Sequence, residues 1–468
     1  MSEPSRGAPP WTALPVVGGD LRVPTVHGTT VPYANLDYAA SAPCLESVRD
    51  TIDELLPWYS SVHRGAGFPS SVCTDLLAAA RETIRHFLGG RPDDAVVFTR
   101  NTTDSLNLLA AALPRDTTVV TFASEHHANL LPWRRHDVVQ LPFPATPEHA
   151  VAAADAALRA ARGSHRLLAV TGASNVTGEV WPVAALVEAA RRHDARVVLD
   201  AAQLAPHRAV DLTAIDVDYV ALSGHKLYAP FGAGVLVGRS DWLDRAEPYL
   251  AGGGAVRRVT LEDAEWATGA SRHEAGTPNL VGVVALAAAC DTLDAVGIDA
   301  VEATERVLVG ELVDGLAAVP GLELLSLWGP GHERIGVAAF TLDGWHHGHL
   351  AAVLSAEYGI GVRDGAFCAH PLVGSLLERT PRHSGGAVRA SFGVGTTRDE
   401  IERLVTSLHA VARHGARWSY AVIDGRHVPD PDPRPRPTLL GRFVMTDSPG
   451  AAGTAPTERS CAGVVAGS

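Results

Sequence analysis

The residues of this 468-residue chain that could do chemistry gather at the ends of three short apolar runs. The first, "AVVFTRNTTDSLNLLA", puts Asn101, Thr102 and Thr103 where a strand gives way to a helix, so hydroxyls and unpaired backbone N–H groups converge on the positive end of a helix dipole. Such a cup suits an anion, phosphate above all, although the same residues would also make an ordinary helix cap. The second, "RVVLDAAQLAPH", ends in Asp200, with Gln203 one turn on. A carboxylate there could keep a pyridinium nitrogen protonated, or simply cap the next turn. The third, "VALSGHKLYAPFG", carries Ser223, His225 and Lys226. A lysine in a partly desolvated pocket near positive charge has a lowered pKa and can form and exchange Schiff bases at neutral pH. Alone, it reads as a surface residue with a buried stem.

Together the three ends say more than each does separately. A phosphate cup, a carboxylate and a lysine at strand ends are the parts that an aldehyde cofactor, pyridoxal 5'-phosphate, requires. On that reading Lys226 is buried as a Schiff-base lysine and not as a free ammonium, whose uncompensated burial is costly.

The elements that must position these residues follow from the periodicity. From about 75 to 290, β-branched runs ("DDAVVFT", "DTTVVTFA", "RLLAVTG", "ARVVLDAA", "VDYVALSG") alternate with Ala-rich amphipathic segments, which predicts an α/β domain with a mostly parallel sheet and ligands at the strand C-terminal ends. Beyond 290, long helices such as "DAVEATERVLVGELVDGLAAV" and short strands such as "IGVAAFTL" predict a smaller α+β domain. The expected layout is an arm at 1–40, a large domain at 41–292, a small domain at 293–418 and a Pro-rich tail at 419–468 without order.

Composition narrows the partners. A formal charge of -13 argues against nucleic acid, which needs a basic footprint, and the longest apolar run, "LVGVVALAAAC", is too short for a membrane span. "MSEPSRGAPPWTALP" lacks the pattern of a signal peptide, so a cytoplasmic enzyme is expected. Five scattered cysteines with no CxxC pair predict neither a disulfide framework nor a metal site, and leave a reactive thiol as the use for any that matters.

A series of motifs from about residue 33 to 415 carries a family resemblance: "NLDYAASAP", "SSVHRGAGFPSS", "VVFTRNTTDSLNLLA", "EHHANLLPW", "SNVTGEVWPV", "VVLDAAQLAPH", "SGHKLYAPFGAGVL", "RHEAGTPN", "GIGVRDGAFCAHPL" and "VRASFGVGTTRDEIERL". The chain resembles the class V aminotransferase group of fold-type I pyridoxal phosphate enzymes, most closely the Suf-type (group II) cysteine desulfurases and selenocysteine lyases. The resemblance implies a large domain built on a mostly parallel seven-stranded sheet and a smaller α+β domain. It implies Lys226 as the Schiff-base lysine, Asp200 at the pyridine nitrogen, Gln203 at the ring hydroxyl and His126 stacked on the ring. Thr102, Thr103, Ser223 and His225 would hold the phosphate, and Thr277 would reach the phosphate of a neighbouring subunit in a homodimer. Asn175 would sit on the substrate side of the cofactor, Arg389 would grip the substrate carboxylate, and Arg363 and His63 would line the pocket near Cys368.

By the same resemblance Cys368 is the nucleophile that takes sulfur from L-cysteine, or selenium from selenocysteine, leaving alanine and an enzyme persulfide for a possible acceptor protein. Where the family reads Arg-x-Gly-His-His-Cys-Ala, this chain has Ala366 and Phe367 before the cysteine, a more apolar setting. The alternative is another class V reaction on an amino acid, an aminotransferase, β-lyase or epimerase, with Cys368 incidental.

Overall fold

The structure is a computed structural model that describes residues 13–63, 65–380 and 384–439. The stretch read for a signal peptide lies mostly, and the end of the Pro-rich tail wholly, outside these residues. At the centre is a seven-stranded sheet, in the order Ala95–Thr99, Gly234–Gly238, Tyr219–Ser223, Arg196–Asp200, His165–Thr171, Thr117–Phe122 and Asp137–Leu141. Gly234–Gly238 runs antiparallel to both neighbours, and the pairs among the other sequential neighbours are parallel. Apart from the first residues of Arg196–Asp200 and His165–Thr171, the inner strands are buried along their length, which is why they appear in the sequence as continuous apolar runs and not as alternating ones. The helices Thr102–Ala112, Pro147–Ala160 and Val183–Arg191 accompany the strands. Asp200 and Ser223 are the last residues of their strands, and Asn101 follows Thr99 by two, so all three sets of predicted residues emerge at one edge of the sheet.

A separate apolar core forms around Leu312, Phe340, Leu354, Phe392, Leu404 and Leu408. It belongs to the helices Ile298–Ala317, His347–Tyr358 and Arg398–His414 and to a four-stranded sheet ordered Leu322–Leu324, Val337–Leu342, Ala387–Ser391, Arg363–Gly365. Ala34 and Leu36, placed in an N-terminal arm by sequence, are buried in this second core, and Ala34–Asn35 pairs with Ile360–Gly361. Both cores lie in one compact unit that closes at Asp432. In the last sheet pair Arg363 is the register partner of Arg389, which puts the two guanidinium side chains on one face.

The tail expected to lack order from 419 begins instead with a hairpin, Tyr420–Ile423 against Arg426–Pro429. Asp424 and Gly425 form its two-residue turn with φ of 50° and 75°, the backbone that an Asp-Gly pair adopts in a hairpin turn. The Glu357 carboxylate anchors it by accepting hydrogen bonds from the Arg417 N–H (3.0 Å), the Trp418 N–H (3.2 Å) and the Tyr420 hydroxyl (3.1 Å). No single helix among the described residues is long and apolar enough to cross a membrane, although Leu280–Val296 and Ile298–Ala317, bent by 79°, reach the length and composition together. Leu280–Val296 is mostly buried in the main core.

Candidate active site

The anion cup is built by cross-links between two strand ends. The Thr102 N–H donates to Ser223 Oγ (2.8 Å), and the two hydroxyls are 2.7 Å apart. Asn101 caps the helix by accepting from the Asp104 N–H (3.0 Å), so the cap and the cup are the same structure. Gly234 makes this approach possible: a Cβ there would lie 2.5 Å from the Asn101 Cα. Thr103 is exposed at the rim, and His225 is half-buried beside Lys226. Burial, then the Lys226 charge, pushes the His225 imidazole down to about 4, so it is neutral near pH 7.

Lys226 follows Ser223 in a tight loop in which its N–H reaches back to the Ser223 carbonyl (3.2 Å). Burial lowers the amine to about 8, Arg389 lowers it further, and the charges of Asp200 and Cys368 oppose that shift. Asp200 is buried and accepts the Ala202 N–H at 3.0 Å. Its carboxyl is raised by burial even though the Lys226 charge pulls it down. Gln203, also buried, commits one N–H to the Ala39 carbonyl at 2.9 Å.

His126 begins a short 3₁₀ turn, and its Nδ1 accepts the Ala128 N–H (3.0 Å), which places the proton of the neutral ring on Nε2. Burial and then Lys226 push this ring down to about 3. The turn is held by Glu125, which is fully buried and accepts from Asn129 Nδ2 (2.7 Å) and the Thr171 N–H (3.0 Å). Burial raises Glu125 to about 8, so it carries its proton near neutral pH.

On the substrate side, Arg389 is 3% exposed. It donates through Nη1 to the Asn175 carbonyl (3.0 Å) and through Nη2 to Asp37 Oδ1 (3.1 Å), and lies 5.1 Å from the Phe367 ring centre. Its Nε is buried without a partner. Asn175 donates through Nδ2 to the Phe367 carbonyl (2.7 Å), and the His127 N–H donates to the Cys368 carbonyl (2.9 Å). Cys368 is exposed, and lies close enough that a thiolate there would act on both Lys226 and Arg389. Arg363, exposed on the adjoining strand, acts on Asp37 and Arg389.

Two predicted residues are set apart. His63, expected near Cys368, lines a hollow of about 360 Å³ together with Thr277, Gly254, Glu274 and Gly276, and neither Cys368 nor Lys226 is in its lining. Both His63 and Thr277 are exposed. Sequence reasoning did not single out Asp37, Glu125, His127 or His370. Asp37 sits in "NLDYAAS", but its contact with Arg389 spans 352 positions and nothing local signals it.

The donor set fits pyridoxal 5'-phosphate. A lysine with a lowered pKa, a buried carboxyl kept from its usual acidity, hydroxyls and an amide at a helix start, and a neutral imidazole are what a phosphorylated, cationic, aldehyde-bearing ring would need from its surroundings.

The comparisons agree with this geometry. Residues 34–404 match the family described as Aminotransferase class-V. The chain is 38% identical over 396 residues to a cysteine desulfurase of Dickeya dadantii, covering 82% of this chain and 92% of that one. It is 35% identical over 415 residues to a cysteine desulfurase of Haloferax volcanii, covering 84% and 93%. Among solved structures, the apo cysteine desulfurase of Thermococcus onnurineus superposes with a TM-score of 0.74 at 31% identity, covering 81% of this chain and 95% of that one. Escherichia coli CsdA, in an S-sulfonic acid form, gives 0.70 at 32% over the same shares. The chain belongs to the aminotransferase class-V family and is a pyridoxal 5'-phosphate-dependent enzyme.

Proposed function

We propose that the protein is a cysteine desulfurase, converting L-cysteine, or selenocysteine, to alanine and leaving the sulfur or selenium on Cys368. The observation that carries the reading is the setting of that thiol: it lies within the electrostatic reach of Lys226 and Arg389, with the carbonyls of Phe367 and Cys368 held by Asn175 and His127. The names of the relatives point the same way.

When bound, pyridoxal 5'-phosphate supplies the electron sink for the substrate's Cα and Cβ. Thr102, Thr103, Ser223 and His225 would hold its phosphate, Asp200 would keep the ring nitrogen protonated, the second N–H of Gln203 would serve the ring hydroxyl, and neutral His126 would pack on the ring. Arg389 grips the substrate carboxylate as a charge-assisted fork with its free Nε. Asn175 fixes that guanidinium from behind, and Arg363 lines the entrance. Lys226, whose amine is lowered to about 8, would be the attachment point and would take and return the Cα proton near neutral pH. The Cys368 thiolate attacks the substrate sulfur. An S–S bond forms as the C–S bond breaks, the electron pair passes to the substrate carbon, and a proton completes the methyl group of alanine.

The working unit in this reading is a cytoplasmic homodimer, with Thr277 and His63 turned toward the site of the partner subunit. Exposed Trp58, Tyr59 and Phe68 offer apolar surface on the same segment as His63. An acceptor protein collects the sulfur from the exposed Cys368.

The test is turnover of L-cysteine by holoenzyme without added keto acid. Alanine and, with reductant, sulfide should form in equal amounts, and Cys368→Ala should lose both. Turnover that needs a keto acid, or that survives in the variant, would point to another class V reaction with Cys368 incidental.

A further inference from the structure

Two consecutive non-glycine residues, Phe367 and Cys368, stand in the left-handed region with φ of 52° and 54°. Such a backbone is costly for residues with a Cβ and persists only where its surroundings hold it. Three hydrogen bonds do so directly: Asn175 Nδ2 to the Phe367 carbonyl, the His127 N–H to the Cys368 carbonyl, and the Ala369 N–H to the Ala366 carbonyl (2.8 Å). A fourth support comes from side chains. The rings of His127 and His370 lie nearly parallel, with centres 4.9 Å apart at 7°, and His370 Nδ1 lies 3.2 Å from His127 Nε2.

The tautomers follow from one more contact. The His370 backbone N–H points at the same His127 Nε2 at 3.4 Å, and an amide can only donate, so Nε2 is an acceptor. His370 therefore carries its proton on Nδ1 and His127 on its own Nδ1. Burial and the neighbouring His370 hold the His127 imidazole below its ordinary pKa, which keeps the acceptor free. His127 thus grips the cysteine turn twice, by its main chain at Cys368 and by its ring at His370, two residues further on.

We infer that the parallel, hydrogen-bonded imidazoles of His127 and His370 form a clasp that holds the Cys368 turn in its left-handed conformation, and that His370 is a positioning residue for sulfur removal. The inference deepens the desulfurase reading and rests on it for the catalytic part. His370 does its work through His127 and the turn, and needs no contact with substrate.

The experiment compares His370→Ala, His370→Asn and wild-type holoenzyme. Asparagine keeps a donor near the place of Nδ1, whereas alanine keeps neither donor nor ring. For His370→Ala the expected result is a fall in kcat for alanine formation of about fivefold, the weight of one hydrogen bond, with KM for L-cysteine unchanged. His370→Asn should recover most of it. Amide exchange gives the readout independent of catalysis: the His127 N–H and the 366–369 amides should exchange faster in His370→Ala and return toward wild type in His370→Asn. Unchanged exchange in His370→Ala, or a rise in KM at constant kcat, would overturn the clasp. If Cys368→Ala still makes alanine, the desulfurase reading fails and His370 has no sulfur step to position, whereas the exchange data decide the clasp itself.

Discussion

Arg389 meets a carboxylate before any substrate arrives, and that contact can be turned into a test. Its Nη2 donates to Asp37 Oδ1 at 3.1 Å, and the side chains of the pair are 4% and 24% exposed. A substrate carboxylate must share or displace this partner. Asp37→Asn keeps an acceptor oxygen of the same shape and removes the charge. Two opposite effects should follow. A hydrogen bond from the guanidinium to a carboxylate exceeds one to a neutral amide oxygen by about 1 kcal/mol, so the guanidinium becomes freer for substrate and KM for L-cysteine should fall about fivefold. The folded protein, left with a buried cation lacking its counter-charge, should lose about 1–3 kcal/mol; full breaking of a buried pair costs more, but Asp37 is partly screened by solvent. The assay is alanine formation against L-cysteine concentration, paired with urea unfolding of the same preparations. A KM that rises with stability unchanged would refute the reasoning, because Asp37 would then be helping to hold substrate instead of competing with it.

Three further outcomes follow from particular contacts. Glu305 is buried between His207 and Arg208. Burial raises its carboxyl, but the charges and hydrogen bonds of His207 and Arg208 outweigh that and leave it below its ordinary 4.5. A depressed folded pKa means stability that is present above 4.5 and lost as pH falls through the folded value. Glu305→Gln should therefore flatten the acid limb of the stability–pH curve, and an unchanged limb would contradict this. Glu357→Ala leaves the N–H groups of Arg417 and Trp418 without their acceptor, so the hairpin at 420–429 should show fast amide exchange and the fold should lose about 2 kcal/mol, read by urea unfolding. Gly234→Ala drives a Cβ to 2.5 Å from the Asn101 backbone at an overpacking cost of about 1–3 kcal/mol, and should appear as faster loss of cofactor on dialysis.

Much of the large sheet is legible in the chain because its buried strands are uninterrupted apolar runs, and Asp200, Ser223 and Lys226 can be placed because each closes or follows such a run. Asp137–Leu141, at the sheet edge and partly exposed, lacks that signal. The hairpin at 420–429 has a local signature, Asp424-Gly425 between two short β-prone runs, but the prolines after it point to a tail without order. Contacts that join distant segments left no trace in spacing: Ala34 and Leu36 in the second core, Asp37 on Arg389, and His370 on His127. The paired left-handed residues at 367 and 368 are equally silent, since neither is glycine or asparagine, the types that usually mark such backbone.

The central claim is that sulfur passes from L-cysteine to Cys368. The most direct measurement is a single turnover without reductant, with holoenzyme in excess over L-cysteine, counting alanine and mapping added sulfur by peptide mass. The account predicts one alanine for each sulfur atom, with the sulfur on the peptide that carries Cys368. Alanine formed without added sulfur on that peptide, or sulfur found on any of the other four cysteines instead, would contradict it.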